Sequence, residues 1–147
     1  MLLLPFSLNG ERYAIDAAKV VEILPQVILR ELPDAPDYVA GVFNCRGRIV
    51  PVIDLCRLVY KTPCSAHIST RMVLTMKKQQ LIALLCDDVV ETVSISEKIL
   101  SPVPFENPAT PYLSNLIKHD DGLMQLVEVD ALFGESVDRL LFGQLET

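Results

Sequence analysis

The sequence of 147 residues contains a weak internal repeat with a period of about 70 residues, and this repeat restricts the fold more than any other feature. The triplet Val-Val-Glu at 20–22 has a counterpart at 89–91, and an acidic residue precedes an apolar turn in each half, at Asp54 and Asp130. Each half offers about five short segments with strand patterning, separated by turn residues. The repeat therefore predicts a mainly β protein, a small barrel or sandwich, in which approximate lobes 1–70 and 71–147 pack as one domain.

Few helices are expected, and each has a local signal. Asp16 can cap a short turn over 17–21, and Asp54 can cap another over 55–59. Near the end of the chain, apolar residues recur close to helical spacing from Glu135 to Leu145. We expect this last segment to be a helix laid against the barrels.

The segment 38–55 carries the clearest local signal. Two aliphatic runs flank an Asn-x-Arg-Gly turn, which predicts a strand, a tight turn and a second strand. Gly47 can supply the positive φ that such a turn needs, and Arg46 then stands at the apex. A cation between two apolar strands suits protein binding better than catalysis, because the planar guanidinium pairs with carboxylates and arginine is enriched at binding hot spots.

Glu22 makes a similar case, because it is an acidic residue at a fixed place in an otherwise aliphatic segment. The alternative for Glu22 is a solvated strand face, and for Arg46 a solvated turn. The acidic pairs are weaker candidates. Asp87-Asp88 follows a buried strand and fits either a strand end with a cap or an interaction surface, whereas Asp120-Asp121 before a glycine is typical of a turn.

Composition excludes some functions. The formal net charge of −6 and the isoelectric point near 4.8 argue against a nucleic-acid partner, because phosphate binding needs clustered lysine and arginine. Pro5 and Asn9 interrupt the apolar N-terminus before it could span a bilayer, and no positive leader or cleavage site is present. We expect a cytoplasmic protein without membrane insertion, whose four cysteines stay reduced.

Signals for catalysis are absent from the sequence. There is no glycine-rich phosphate loop, no Gly-x-Ser-x-Gly and no His-Glu-x-x-His, so we expect neither enzyme activity nor a cofactor. The alternative is a small β-barrel protein with metal or redox activity, since Cys64 and His67 have zinc-ligand spacing. Against it, there is no Cys-x-x-Cys, and the other cysteines lie in apolar patterns, where free cysteine packs as a small hydrophobe.

Nearly the whole chain resembles one known family. The segments 10–15 and 20–23 resemble its opening strands, and 87–93 resembles a motif of its second half. The run 33–55, with the core Tyr-Val-x-Gly-Val-x-Asn-x-Arg-Gly, matches a highly specific signature. On these residues the chain is similar to the CheW-like coupling domain of bacterial chemotaxis-type signalling.

The resemblance implies two pseudo-symmetric five-stranded barrels, SH3-like or OB-like, that share a hydrophobic core and can exchange strands or helices between lobes. It also implies a non-enzymatic scaffold at membrane receptor arrays, which couples the cytoplasmic tips of methyl-accepting chemoreceptors to the regulatory domain of a CheA-type histidine kinase. Helical tips can dock an apolar face into a groove while fixed charges set the register. Carried over by position, the partner-binding residues are Val20, Glu22, Gly41, Arg46, Asp87 and Val89.

Overall fold

β-Strands dominate the computed structural model of the protein, which describes residues 1–62, 68–96, 100–101, 108–119 and 122–145. In chain order the strands are β1 (Leu2–Leu8), β2 (Glu11–Asp16), β3 (Val20–Pro25), β4 (Val39–Cys45), β5 (Arg48–Asp54), β6 (Arg71–Lys77), β7 (Gln80–Cys86), β8 (Val93–Ser94), β9 (Leu100–Ser101), β10 (Leu113–His119) and β11 (Gly122–Val127). The α-helices are α1 (Leu55–Tyr60) and α2 (Glu135–Leu145), and short 3₁₀ helices span Ala17–Lys19 and Val129–Ala131. The mainly β class and the C-terminal helix are confirmed.

The strands form two sheets, and each sheet contains strands from both halves of the chain. The six-stranded sheet has the order β8-β1-β2-β11-β10-β9, and the five-stranded sheet has the order β3-β6-β7-β5-β4. Two parallel pairings, β2 with β11 and β5 with β7, join the halves. One sheet has the predicted five strands, whereas the other has six because the two-residue strands β8 and β9 extend its edges.

The two sheets share one hydrophobic core, and each sheet also has a smaller cluster of its own. The shared core takes Phe6 from the six-stranded sheet, Ile53 from the five-stranded sheet and Leu141 from α2, all of them buried. A second cluster contains Ile117 of the six-stranded sheet, and a third contains Val52 of the five-stranded sheet. Two β units around a common core are what the resemblance implies.

Aspartate caps begin two of the short helices, as predicted. The Oδ1 atom of Asp16 accepts a hydrogen bond from the main-chain N–H of Ala18 at 2.9 Å. The Oδ1 atom of Asp54 accepts one from the N–H of Arg57 at 3.2 Å. These caps satisfy main-chain donors that have no partner inside the helix, and they end β2 and β5 at defined points.

A buried ion pair anchors α2 to the five-stranded sheet, and the sequence did not reveal it. The side chain of Lys77, at the end of β6, is fully buried. Its Nζ donates to both carboxylate oxygens of Asp138, at 3.0 and 3.1 Å. A second pair joins Lys19 Nζ to Asp130 Oδ2 at 2.7 Å. The C-terminal segment is therefore held by charge as well as by packing.

Candidate partner-binding site

β4 and β5 form the predicted hairpin, and Arg46 and Gly47 are its two turn residues. Both have positive φ angles, 51° for Arg46 and 86° for Gly47, as the central residues of a type I′ turn require. The Oδ1 atom of Asn44 accepts a hydrogen bond from the N–H of Gly47 at 2.8 Å. The Asn-x-Arg-Gly motif thus stabilises its own turn and places Arg46 at the hairpin tip.

Arg46 forms a bidentate ion pair with Glu22. One guanidinium nitrogen donates to Glu22 Oε1 at 3.0 Å, and the other lies 2.8 Å from Oε2. The hydrogen bond from Arg46 holds the pKa of Glu22 below its ordinary value, and the same bond raises the pKa of Arg46. The side chains remain 71% and 36% exposed, so a partner can reach the pair. Two residues that the sequence singled out separately are therefore one feature.

The ion pair links the two edge strands of the five-stranded sheet. Glu22 lies on β3 and Arg46 directly follows β4, and these strands stand at opposite ends of the sheet order. The sheet therefore curls until its edges meet, as a strongly twisted sheet can. A second link is made by Arg30, which exchanges two main-chain hydrogen bonds with Val42, at 2.9 and 2.8 Å.

Gly41 allows this close approach. Its φ is 151°, and a Cβ atom at this position would lie 2.7 Å from the carbonyl oxygen of Arg30 and 2.9 Å from Cβ of Leu29. Only glycine fits here without displacing the neighbouring segment. The structure gives Gly41 a packing role at the closure of the sheet, and its direct contact with a partner stays a prediction.

The other predicted partner-binding residues lie against the core or between the sheets. Val20 and Val89 both pack against the shared core. Asp87 accepts a hydrogen bond from Thr70 Oγ1 at 2.6 Å, and its main chain exchanges two hydrogen bonds with Ser7 of β1, at 2.8 and 3.1 Å. Asp87 thus ties the five-stranded sheet to the six-stranded sheet, and the structure does not bring it to the hairpin tip.

Exposed aliphatic side chains accompany the ion pair, and sequence reasoning did not single them out. Val21 and Ile23 flank Glu22 on β3 and are 53% and 44% exposed. Ile49, at the start of β5, is also exposed. The sequence does contain a signal for this exposure. Aliphatic residues occupy both alternating sets of positions along β3, so some of them must face solvent.

The structure offers no support for metal chemistry among the residues it describes. Those residues contain no cluster of three or more potential metal ligands. Cys86 is fully buried, and burial raises the pKa of its thiol, which disfavours the reactive thiolate. Cys64 and His67, on which the metal or redox alternative rests, lie outside the described residues, as does the Asp120-Asp121 pair.

The comparisons with known proteins agree with this architecture. The family model described as the CheW-like domain matches residues 2–137. The chemotaxis protein CheW of Klebsiella aerogenes is 30% identical over 129 residues, which cover 86% of this chain and 78% of the relative. The chemotaxis protein CheW of Helicobacter pylori is 28% identical over 131 residues, with the same shares of 86% and 78%.

A solved structure extends this similarity to the fold. The scaffolding protein TtCheW from Thermoanaerobacter tengcongensis matches with a TM-score of 0.84 at 27% identity, covering 92% of this chain and 94% of that one. A fold does not by itself establish a function, so the class of this protein rests on the family model and on the named relatives. The chain belongs to the CheW-like family, whose members are non-enzymatic scaffold proteins of chemotaxis-type signalling.

Within the described part of the chain, neither α-helix combines the length and the apolar character that a membrane crossing requires.

Proposed function

We propose that the protein is a cytoplasmic scaffold that couples the tips of methyl-accepting chemoreceptors to the regulatory domain of a CheA-type histidine kinase, so that receptor state controls kinase activity. One observation carries the proposal: the bidentate pair of Arg46 and Glu22 stands exposed at the hairpin tip. Strand β3, which carries Glu22, also exposes the aliphatic residues Val21 and Ile23. Membership of the CheW-like family supplies the class of partner.

The physical properties of this surface suit a protein partner. Apolar side chains provide area that is removed from water on binding, while charged groups select the partner and fix its orientation. The two charges are held by each other in a defined geometry before any partner arrives, which lowers the entropy cost of ordering them. We therefore assign direct partner contacts to Glu22 and Arg46, with Val20 and Gly41 holding the strands that present them.

Asp87 and Val89 have a different place in the proposal. Asp87 joins the sheets and Val89 packs on the shared core, so a partner that contacts this region would sense the relative position of the two sheets. Receptor binding and kinase binding would then be coupled through that relative position, with a coupling free energy typically of about 1–3 kcal/mol.

The proposal is tested by measuring affinity for both partners. Isothermal titration calorimetry compares the wild type with Arg46→Ala and Glu22→Ala, against a kinase regulatory domain and a receptor-tip fragment from the same genome. Arg12→Ala is the matched control, since Arg12 is an exposed arginine on β2. We expect each hairpin-tip variant to weaken one partner about tenfold while the control changes little. The proposal would be contradicted if the wild type bound neither the kinase regulatory domain nor the receptor-tip fragment.

A charge swap separates two roles of the ion pair. In the double variant Glu22→Arg, Arg46→Glu the internal pair can re-form with its signs exchanged. If the pair only holds the edges of the sheet together, the swap restores the affinity lost in the single variants. If the partner recognises the charges themselves, as we propose, the double variant binds no better than either single variant.

A further inference from the structure

An open groove of about 620 Å³ lies between β4 and the segment that follows β3. Val27 and Ile28 line it from the segment, and Val42 and Phe43 line it from β4. Ile28 is 99% exposed, so nearly its whole side chain is accessible to a partner. The volume falls within the range of about 300–1,000 Å³ that is typical of binding pockets, enough for a few side chains.

One edge of β4 is paired at Val42 but not at Asn44, within the residues that the structure describes. Val42 turns its main-chain N–H and C=O away from β5, because both bond to Arg30 across the groove. Since alternate residues of a strand direct these groups to the same side, Asn44 presents its own N–H and C=O to the groove as well. Continuation of the pairing would place Ile28 opposite Asn44, but no main-chain hydrogen bond joins them, so the pairing stops after one residue pair. On that side the main chain of Asn44 has no partner within the described residues.

The groove also carries positive charge. Arg30 and Arg46 both line it. Arg46 is paired with Glu22, whereas the exposed side chain of Arg30 has no carboxylate within bonding distance among the residues that the structure describes. An apolar groove with an unpaired guanidinium complements a ligand that combines aliphatic and acidic side chains.

We propose that this groove binds an extended segment of a partner protein, which adds as a short strand beside β4 with an aliphatic side chain against Ile28 and a carboxylate paired with Arg30. On the groove side the main-chain groups of Asn44 have no partner within the described residues, which favours a strand over a helix, because the main-chain groups inside a helix are already bonded to each other. The inference deepens the proposed function and rests on it for the identity of the partner.

The first arm of the test uses the two signalling partners. Ile28→Asp and Arg30→Glu are compared with Ile68→Asp and Arg12→Glu; Ile68 is 98% exposed and is therefore a close match for Ile28. We expect the groove variants to weaken one partner at least tenfold and the controls to stay within twofold of the wild type. In the wild-type complex, hydrogen exchange of the Asn44 amide slows at least tenfold. Weakened binding with unchanged exchange at Asn44 contradicts strand addition and indicates a helical ligand.

The second arm needs no natural partner, so it separates this inference from the proposed function. A blocked six-residue peptide of alternating valine and glutamate is titrated into the labelled protein and followed by NMR. We expect shifts of the Ile28 and Asn44 amides, and at least tenfold weaker binding when lysine replaces glutamate. Absence of these shifts at millimolar peptide overturns the inference even if both partners bind. If the protein self-associates and Ile28→Asp abolishes this self-association, the groove binds a second copy of the chain. That result also overturns the inference.

Discussion

Replacing Gly41 with alanine tests how the five-stranded sheet closes. The new Cβ atom would lie 2.7 Å from the carbonyl oxygen of Arg30 and 2.9 Å from Cβ of Leu29. Because the nearest atom belongs to the main chain, no side-chain rotation relieves the overlap. The segment must move away from β4, which breaks the hydrogen bonds of 2.9 and 2.8 Å between Arg30 and Val42.

The expected cost follows from these contacts. Overpacking costs about 1–3 kcal/mol, and two main-chain hydrogen bonds contribute about 1 kcal/mol each, so Gly41→Ala should lower the free energy of unfolding by about 3–5 kcal/mol. Urea unfolding followed by circular dichroism measures it. Gly134→Ala is the control, since a Cβ atom there meets nothing within 4 Å. A loss in Gly41→Ala no larger than in the control would show that the segment accommodates the Cβ atom without leaving β4.

Three further perturbations test separate contacts. Asp138→Ala leaves the buried ammonium of Lys77 without its carboxylate and should lower the free energy of unfolding by about 3 kcal/mol in urea titrations; a loss below about 1 kcal/mol would contradict this. The hydrogen bond from Lys19 lowers the pKa of Asp130 from its ordinary 3.8, so the stabilisation by this carboxylate is complete above that value and is lost as the pH falls through the folded-state pKa. The difference in unfolding free energy between wild type and Asp130→Asn should therefore shrink on acidification below about pH 4, and a pH-independent difference would argue against the pair. Asn44→Ala removes the acceptor of the turn amide and should cost about 1 kcal/mol, whereas Asn44→Asp keeps the acceptor and should cost clearly less; equal losses would show that the side-chain bond does not stabilise the turn.

Features with local causes could be predicted from the sequence. The turn at Arg46 and Gly47 could be predicted from the Asn-x-Arg-Gly motif, because a two-residue type I′ turn needs positive φ at both central positions. Strands β4 and β5 could be predicted from the aliphatic runs on each side of it. Helix α2 follows from apolar spacing, and its bounds Glu135–Leu145 match the prediction. These signals are contained within about a dozen residues, so distant parts of the chain do not alter them.

Features with long-range causes could not be predicted. Glu22 and Arg46 meet only because β3 and β4 are opposite edges of a curled sheet. The sequence of neither segment determines the strand order β3-β6-β7-β5-β4 that places them there. The burial of Lys77 could not be predicted from its own segment, because a lysine is rarely buried unless it is paired, and its partner Asp138 belongs to a distant helix. The groove exists because the segment after β3 pairs with β4 only at Arg30 and Val42. No local sequence pattern specifies where this pairing ends.

Scaffolding itself is tested most directly by retention of the kinase on the receptor. A receptor-tip fragment is immobilised, and the kinase regulatory domain is passed over it with and without the protein, using Arg46→Ala as the variant. We predict that the kinase domain is retained when the wild-type protein is present and not when protein is omitted, and that retention falls about tenfold with the variant. Equal retention with and without the protein would contradict the claim that this chain couples the two.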